Sequence, residues 1–113
     1  MKVGDKMNYI YDNTAQIIFK ECIRWVDDFI EGEISFSIML LNFEQSYRKL
    51  SHFDNIDLQD LLTDLQELTL LEIHNLIEEK VVAIHESREI DSDNILQNKL
   101  LEIINAYHNA QTN

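Results

Sequence analysis

Residues 54–93 read DNIDLQDLLTDLQELTLLEIHNLIEEKVVAIHESREIDSD, and this stretch decides the fold. It contains twelve of the 21 acids of the chain but only two of its nine bases, Lys80 and Arg88. Leu, Ile and Val recur between the acids, so the stretch is too apolar for a disordered acidic tail. The pattern predicts amphipathic helix, with one side that packs and one side that stays in water.

Within this stretch we predict a third helix, which begins with Asp57 as its N-cap and continues to Glu89. At about 100° per residue, its acids fall within an arc of roughly 140°. Unbroken, the helix would be about 50 Å long, which is too long for a domain of this size. We therefore expect a break between Thr69 and Val82, where the apolar face drifts. Four apolar residues do not obey the two-sided division: Leu61, Leu68, Leu71 and Val82.

The sequence before this stretch predicts two helices joined by a glycine turn. The first helix runs from about Tyr9 or Asp12 to Glu31, with residues 1–8 frayed, and Gly32 stands where a helix-ending glycine belongs. Its apolar stripe is Ile18, Cys22, Trp25 and Phe29. The second helix begins with Ser35 as its N-cap and ends near residue 51. Its stripe is Phe36, Leu40, Phe43, Tyr47 and Leu50.

A last helix follows the polar break at residues 91–94, with Ser92 or Asp93 as its cap. Its inner face is predicted to hold Leu96, Leu100, Ile103 or Ile104, and Tyr107. The whole chain of 113 residues has two glycines and no proline, which favours an all-α fold over one that needs many tight turns. We predict a single domain, residues 1–113, folded as an antiparallel bundle of four helices, or five if the third helix breaks.

Composition also limits where the protein acts and what it binds. No apolar run is long enough for a signal peptide or a membrane span, which predicts a cytoplasmic location. The net charge of -12 would be repelled by nucleic-acid phosphates and by anionic membranes. A basic protein is the partner that this charge predicts, with no direct binding of nucleic acid or membrane.

The residues with catalytic or ligating chemistry are sparse. The histidines, expected at surface or boundary positions, are His52, His74, His85 and His108. Cys22 is predicted to be a small core side chain. No catalytic residue, metal site or cofactor is predicted. One enzymatic alternative stays open, because the pairs Asp64-x-x-Glu67 and Glu86-x-x-Glu89 are typical of Mg²⁺ sites in helical nucleotide pyrophosphohydrolases.

Residues 26–35, VDDFIEGEIS, followed by Phe43 and Tyr47, resemble the start of the small helical immunity proteins of the colicin D type. In that family a helix ends in a glycine, Ile-Ser opens the next helix, and an aromatic pair follows. The resemblance covers residues 26–50. It implies a cytosolic helical bundle that binds and masks a tRNA-cutting toxin, with acids in the substrate cleft. Immunity proteins of contact-dependent inhibition systems, used in bacterial competition, fit the same description.

These observations lead to one functional expectation: the chain is not an enzyme but an immunity protein that neutralises a nuclease toxin. Carboxylates on a rigid helix would mimic nucleic-acid phosphates and pair with the basic groups of the cleft. The residues expected to bind are Asp57, Asp60, Asp64, Glu67, Glu78, Glu79, Glu86 and Glu89. Two alternatives remain besides a merely solvated face: a phage-type nucleic-acid mimic that inhibits a defence nuclease, and the Mg²⁺-dependent pyrophosphohydrolase.

Overall fold

A computed structural model describes residues 3–50, 62–88 and 93–112, with side chains in 14–50, 62–88 and 93–111. These residues form four α-helices and no strand: α1 (Val3–Ile30), α2 (Phe36–Lys49), α3 (Asp64–His85) and α4 (Asp93–Thr112). The helices form an antiparallel bundle in which α1 packs against the other three. The predicted all-α fold is confirmed. None of these helices combines the length and hydropathy that a membrane span requires.

The turn between α1 and α2 has the local chemistry that the sequence predicts. Gly32 adopts a left-handed conformation (φ 78°), and its N–H donates to the Phe29 carbonyl at 3.0 Å. The N–H of Glu33 donates to the Asp28 carbonyl at 2.9 Å, which completes a Schellman motif. Ser35 Oγ then accepts a hydrogen bond of 3.2 Å from a backbone N–H in the first turn of α2. The predicted helix stop and N-cap are both confirmed.

The start of α1 differs from the prediction. The helix begins at Val3, whereas the sequence predicts a start near Tyr9 or Asp12. No proline precedes Tyr9, so nothing prevents the helix from propagating towards the N-terminus at one hydrogen bond per residue.

The start of α3 also differs from the prediction. Thr63 is the N-cap: its Oγ1 accepts from the Gln66 N–H at 3.1 Å, and Gln66 Oε1 accepts from the Thr63 N–H at 3.0 Å. This capping box begins the helix at Asp64. The predicted cap, Asp57, lies outside the described residues. The expected break between residues 69 and 82 is wrong, because α3 continues through this range without interruption.

The end of α3 is reached before the predicted residue, Glu89. The helix ends at His85, and Ser87 takes the left-handed conformation (φ 56°) that a glycine usually supplies. The Arg88 N–H donates to the Ala83 carbonyl at 3.1 Å, so the α3 terminus has the same hydrogen-bond pattern as the α1 terminus. At 22 residues, α3 is about 33 Å long and needs no break to fit the domain.

The core lies where α1 faces the other helices. Its fully buried larger side chains are Cys22, Val26, Phe29, Met39, Phe43, Leu70, Ile73, Ile77 and Leu100. On α4 the predicted inner face is confirmed, with Leu96, Ile104 and Tyr107 also buried. The prediction for Trp25 is wrong in part: it is half-buried beside polar side chains, and Val26 takes the core position. Adjacent residues on a helix differ by about 100°, so only one of them can point to the centre of the core.

A buried amide pair fixes the start of α3 against α1. Gln16 and Gln66 exchange two side-chain hydrogen bonds, of 2.9 and 2.8 Å, and Gln66 Nε2 also lies 3.4 Å from the Tyr107 hydroxyl. Gln66 is only 6% exposed, yet its polar atoms are satisfied. This contact joins α1, α3 and α4, and it holds the first turn of α3 in place.

Candidate partner-binding face

Five of the eight predicted binding acids lie in the described residues. Asp64, Glu79 and Glu86 are exposed, whereas Glu67 and Glu78 are half-buried. The other three predicted acids are Asp57, Asp60 and Glu89, which lie outside the described residues. Four of the five belong to α3 itself, and Glu86 is its C-cap. The described acids therefore follow the length of α3, as the sequence predicts, but stop at its end.

The exposed apolar residues of α3 lie among these acids. Leu68, Leu71 and Val82 are 51%, 48% and 42% exposed. At about 100° per residue, Leu71 and Val82 lie within roughly 20° of Asp64, and Leu68 within roughly 40°. Although these residues are apolar, they lie on the acidic side of the helix rather than on the side that packs in the core. We call this surface the outer face of α3: Asp64, Glu67, Leu68, Leu71, Glu72, Glu78, Glu79 and Val82.

Lys80, the only Lys or Arg in α3, points away from the outer face. Its Nζ pairs with the Asp93 carboxylate at the start of α4 and lies 5.0 Å from the centroid of the Phe36 ring. The lysine side chain is only 11% exposed. The charge of Lys80 thus joins α2, α3 and α4 and does not offset the acids of the outer face. Arg88, beyond the end of α3, is a cation beside Glu79 and Val82, and it pairs with Glu86 at 2.9 Å.

A second group of acids lies at the turn between α1 and α2. The carboxylates of Asp28, Glu31 and Glu33 approach within 4.8 Å of one another. Burial raises the pKa of the neighbouring Asp27 carboxyl, and the negative charge of Glu31 raises it further. We call these four acids the hinge acids. None is among the predicted binding residues, because the glycine turn is read from the sequence as a purely structural element.

His74 occupies a boundary position between α2 and α3. Its ring lies 4.9 Å from the Tyr47 ring, measured between centroids. Its Nε2 is 3.6 Å from Glu78 Oε1 and 4.0 Å from Glu44 Oε1. Burial raises the pKa of Tyr47, and nearby negative charges, including those of Glu44 and Glu67, add to the effect. His74 and Tyr47 line a cavity of about 540 Å³ along this seam.

The other described residues with catalytic or ligating chemistry are in the expected places, and His52 lies outside the described residues. Cys22 is fully buried, and burial raises the pKa of its thiol to about 12, so it is a core side chain as predicted. His85 and His108 are exposed. The pair Asp64-x-x-Glu67 forms the first turn of α3. In the predicted second pair, Glu86 is the C-cap of α3 and Glu89 lies outside the described residues.

No family model, curated protein or solved structure matches this chain. The functional interpretation therefore depends on the chemistry of the described surface. The resemblance of residues 26–50 to immunity proteins remains a prediction.

Proposed function

We propose that this chain is a helical immunity protein that neutralises a bacterial nuclease toxin of the tRNase type. The outer face of α3 would cover the basic substrate cleft of the toxin. The observation that carries the proposal is the composition of this face, where acids and exposed apolar side chains alternate and the single lysine of α3 points elsewhere. The protein would act by binding, without catalysis, in the cytoplasm.

The geometry of the face suits phosphate mimicry. Asp64 and Glu79 are fifteen residues apart in α3, which places them about 22 Å apart along the helix axis. One strand of a nucleic-acid duplex passes about six phosphates over that length. Lysine and arginine side chains that hold such phosphates can pair with carboxylates in the same positions.

The apolar residues of the face would slow dissociation of the complex, which charge alone affects less. Charge complementarity mainly raises the association rate, whereas buried apolar contacts slow dissociation. Leu68 and Leu71 lie one turn apart near the middle of the acids, so a partner that pairs with the acids also covers both leucines. A face that served solubility alone would not need exposed leucines at its centre.

The resemblance at residues 26–50 supports the proposal in one respect. This segment forms the helix end, glycine turn and serine-capped second helix that the likeness implies. The hinge acids lie in the same segment and offer a second negative surface. A test of the proposal therefore has to separate the outer face of α3 from the hinge acids.

The test uses the full chain and two charge-reversal variants as parallel baits in a lysate of the host. The first variant combines Asp64→Lys, Glu72→Lys and Glu79→Lys on the outer face. Its matched control combines Glu31→Lys, Glu33→Lys and Glu102→Lys, three exposed acids elsewhere. Each variant changes the net charge from -12 to -6, so a general charge effect would be equal in both. Circular dichroism melts establish that both are folded.

We expect wild type and control to retain a basic nuclease that the outer-face variant loses. Three lost charge pairs of about 1 kcal/mol each correspond to more than about a hundredfold in Kd. The purified chain should also inhibit the nuclease, with an affinity that falls steeply as salt rises. Equal capture by both variants, or loss in the control alone, would show that the outer face is not the binding surface. A captured protein without nuclease activity would refute the toxin assignment.

Two related functions predict different results in the same experiment. A phage-type mimic would use the same face but capture a defence nuclease of the infected host rather than a secreted toxin. A pyrophosphohydrolase would be stabilised by Mg²⁺ and would hydrolyse nucleoside triphosphates. A melt with and without Mg²⁺ separates the enzyme from both binding functions.

A further inference from the structure

Three side chains with metal-binding chemistry meet at the seam between α2 and α3. Glu44 comes from α2, and His74 and Glu78 lie one turn apart on α3. Their ligand atoms all lie within 4.8 Å of one another, and each side chain is half-buried. We propose that Glu44, His74 and Glu78 form a binding site for a first-row divalent metal ion of the Zn²⁺ class. This inference does not depend on the proposed immunity function.

The distances fit such an ion after a small adjustment. Donor atoms bound to Zn²⁺ at about 2.0–2.2 Å in a tetrahedral arrangement are separated by about 3.3–3.6 Å. His74 Nε2 lies 3.6 Å from Glu78 Oε1 and 4.0 Å from Glu44 Oε1. The ligand oxygens of the two glutamates lie within 4.8 Å of each other, and changes in the glutamate side-chain torsions would have to bring them closer by up to about an ångström. Water would complete the coordination, since the site is partly open.

The chemistry of the three ligand atoms indicates which class of metal ion the site would bind. One imidazole nitrogen and two carboxylate oxygens suit Zn²⁺ and its first-row neighbours, whereas Mg²⁺ and Ca²⁺ prefer oxygen ligands alone. The hinge acids offer only carboxylates and contain no nitrogen donor. The cluster at His74 is therefore the better candidate of the two, and the hinge acids provide a natural control.

Neighbouring side chains hold the proposed ligands in position. The Tyr47 ring packs against the His74 ring and is itself stacked on the buried Phe43, at 5.6 Å between centroids. Arg48 lies 3.5 Å from Glu44 Oε2, the oxygen that does not face His74. One glutamate oxygen is thus available to the metal while the other is held by a cation, as is common for ligating carboxylates.

A metal at this site would join two helices that otherwise share few close backbone contacts. Among the described residues, α2 packs mainly on α1, whereas α3 packs mainly on α4. A bond from Glu44 across to His74 and Glu78 would cross-link the two pairs. Because the ion would bind the folded chain and not the unfolded one, it should raise the melting temperature.

The experiment is a calorimetric titration of the full chain, free of any affinity tag, with Zn²⁺ at neutral pH. The ligand variants are Glu44→Gln, His74→Gln and Glu78→Gln. The matched controls are His85→Gln, an exposed histidine of the same helix, and Glu31→Gln, one of the hinge acids. Wild type should bind one Zn²⁺ per chain. Each ligand variant should lose affinity by at least about tenfold, and each control by less than about twofold.

Two further measurements keep the proposal testable if a ligand variant fails to fold. Zn²⁺ added to wild type should shift the NMR signals of the His74 ring and leave those of His85 and His108 in place. Mg²⁺ in the same titration should give no saturable heat. The proposal is overturned if wild type does not bind Zn²⁺ saturably, if His74→Gln binds equally well, or if another histidine shifts instead. Mg²⁺ binding as tight as that of Zn²⁺ would overturn the assigned metal class.

Discussion

Replacement of the buried Gln66 offers a direct test of how α3 is held in the bundle. Gln66→Leu keeps the volume of the side chain but removes its amide. Three short hydrogen bonds are lost, together with a longer contact: the short ones are the two with Gln16 and the bond from the Thr63 N–H to Gln66 Oε1. The Tyr107 hydroxyl, at 3.4 Å, contributes less because the distance is long.

The expected cost can be estimated from these contacts. The Gln16 amide is left partly buried without its partner, which costs about 1–3 kcal/mol. Loss of the reciprocal half of the capping box adds about 0.5–1 kcal/mol, while Thr63 Oγ1 still accepts from the backbone N–H. We expect Gln66→Leu to lower the free energy of unfolding by about 2–3 kcal/mol, a large fraction of the stability of a small domain.

A double-mutant cycle separates the amide pair from the cap. In Gln16→Leu/Gln66→Leu both amides are replaced, so neither is left without the other. The cost that comes from the amide pair should be recovered, with a coupling energy of about 1 kcal/mol or more, whereas the loss of the acceptor for the Thr63 N–H remains. Gln45→Leu, at an exposed helical position, is the control and should change stability by less than about 0.5 kcal/mol. Urea unfolding followed by circular dichroism gives all four values. Additive single mutants would show that the pair does not act as a unit, and our account of the α3 start would be wrong.

Three further predictions concern the core and the ends of α1 and α3. Phe29→Ala should lower the free energy of unfolding by about 3–5 kcal/mol, because the ring is 1% exposed. Trp25→Ala should lower it by only about 1–2 kcal/mol, because the indole is half-buried. The reverse order in urea unfolding would contradict the register of α1. Ser87→Gly should stabilise the fold by about 0.5–1 kcal/mol, since glycine adopts a φ of 56° without strain. A loss of stability in Ser87→Gly would indicate that the serine side chain has an interaction of its own. Gly32→Ala, at φ 78°, should destabilise the fold by a similar amount.

The sequence predicts the fold best where local chemistry decides it. Gly32 and Ser35 can be read directly, because a left-handed residue and a side-chain acceptor are each needed within a few residues of a helix end. The inner face of α4 follows from the helical period. The end of α3 cannot be predicted in this way, because Ser87 adopts a left-handed conformation that is uncommon for serine.

The sequence favours a start of α3 at Asp57 over the local capping-box motif Thr63-x-x-Gln66, because the apolar spacing continues across that motif. Thr63 and Gln66 lie within an unbroken apolar period, so the spacing favours a continuous helix. Gln66 becomes a buried residue only when Gln16, fifty positions away, supplies a matching amide. The Glu44–His74–Glu78 cluster is likewise not visible in the sequence, because Glu44 and His74 lie on different helices and no short motif joins them.

The acids of the outer face and the Glu44–His74–Glu78 cluster both depend on an ordered α3. Carboxylates that repel one another favour fraying, yet α3 is capped at both ends, by the Thr63–Gln66 box and by the Schellman turn at Ser87. Its inner residues Ile73 and Ile77 are fully buried. The backbone that carries the acids is therefore ordered in the free chain, so little backbone entropy of α3 would be lost when the proposed partner binds. A helix ordered in this way can keep a repulsive surface that an isolated peptide of the same sequence could not, because packing on α4 and α1 offsets the repulsion.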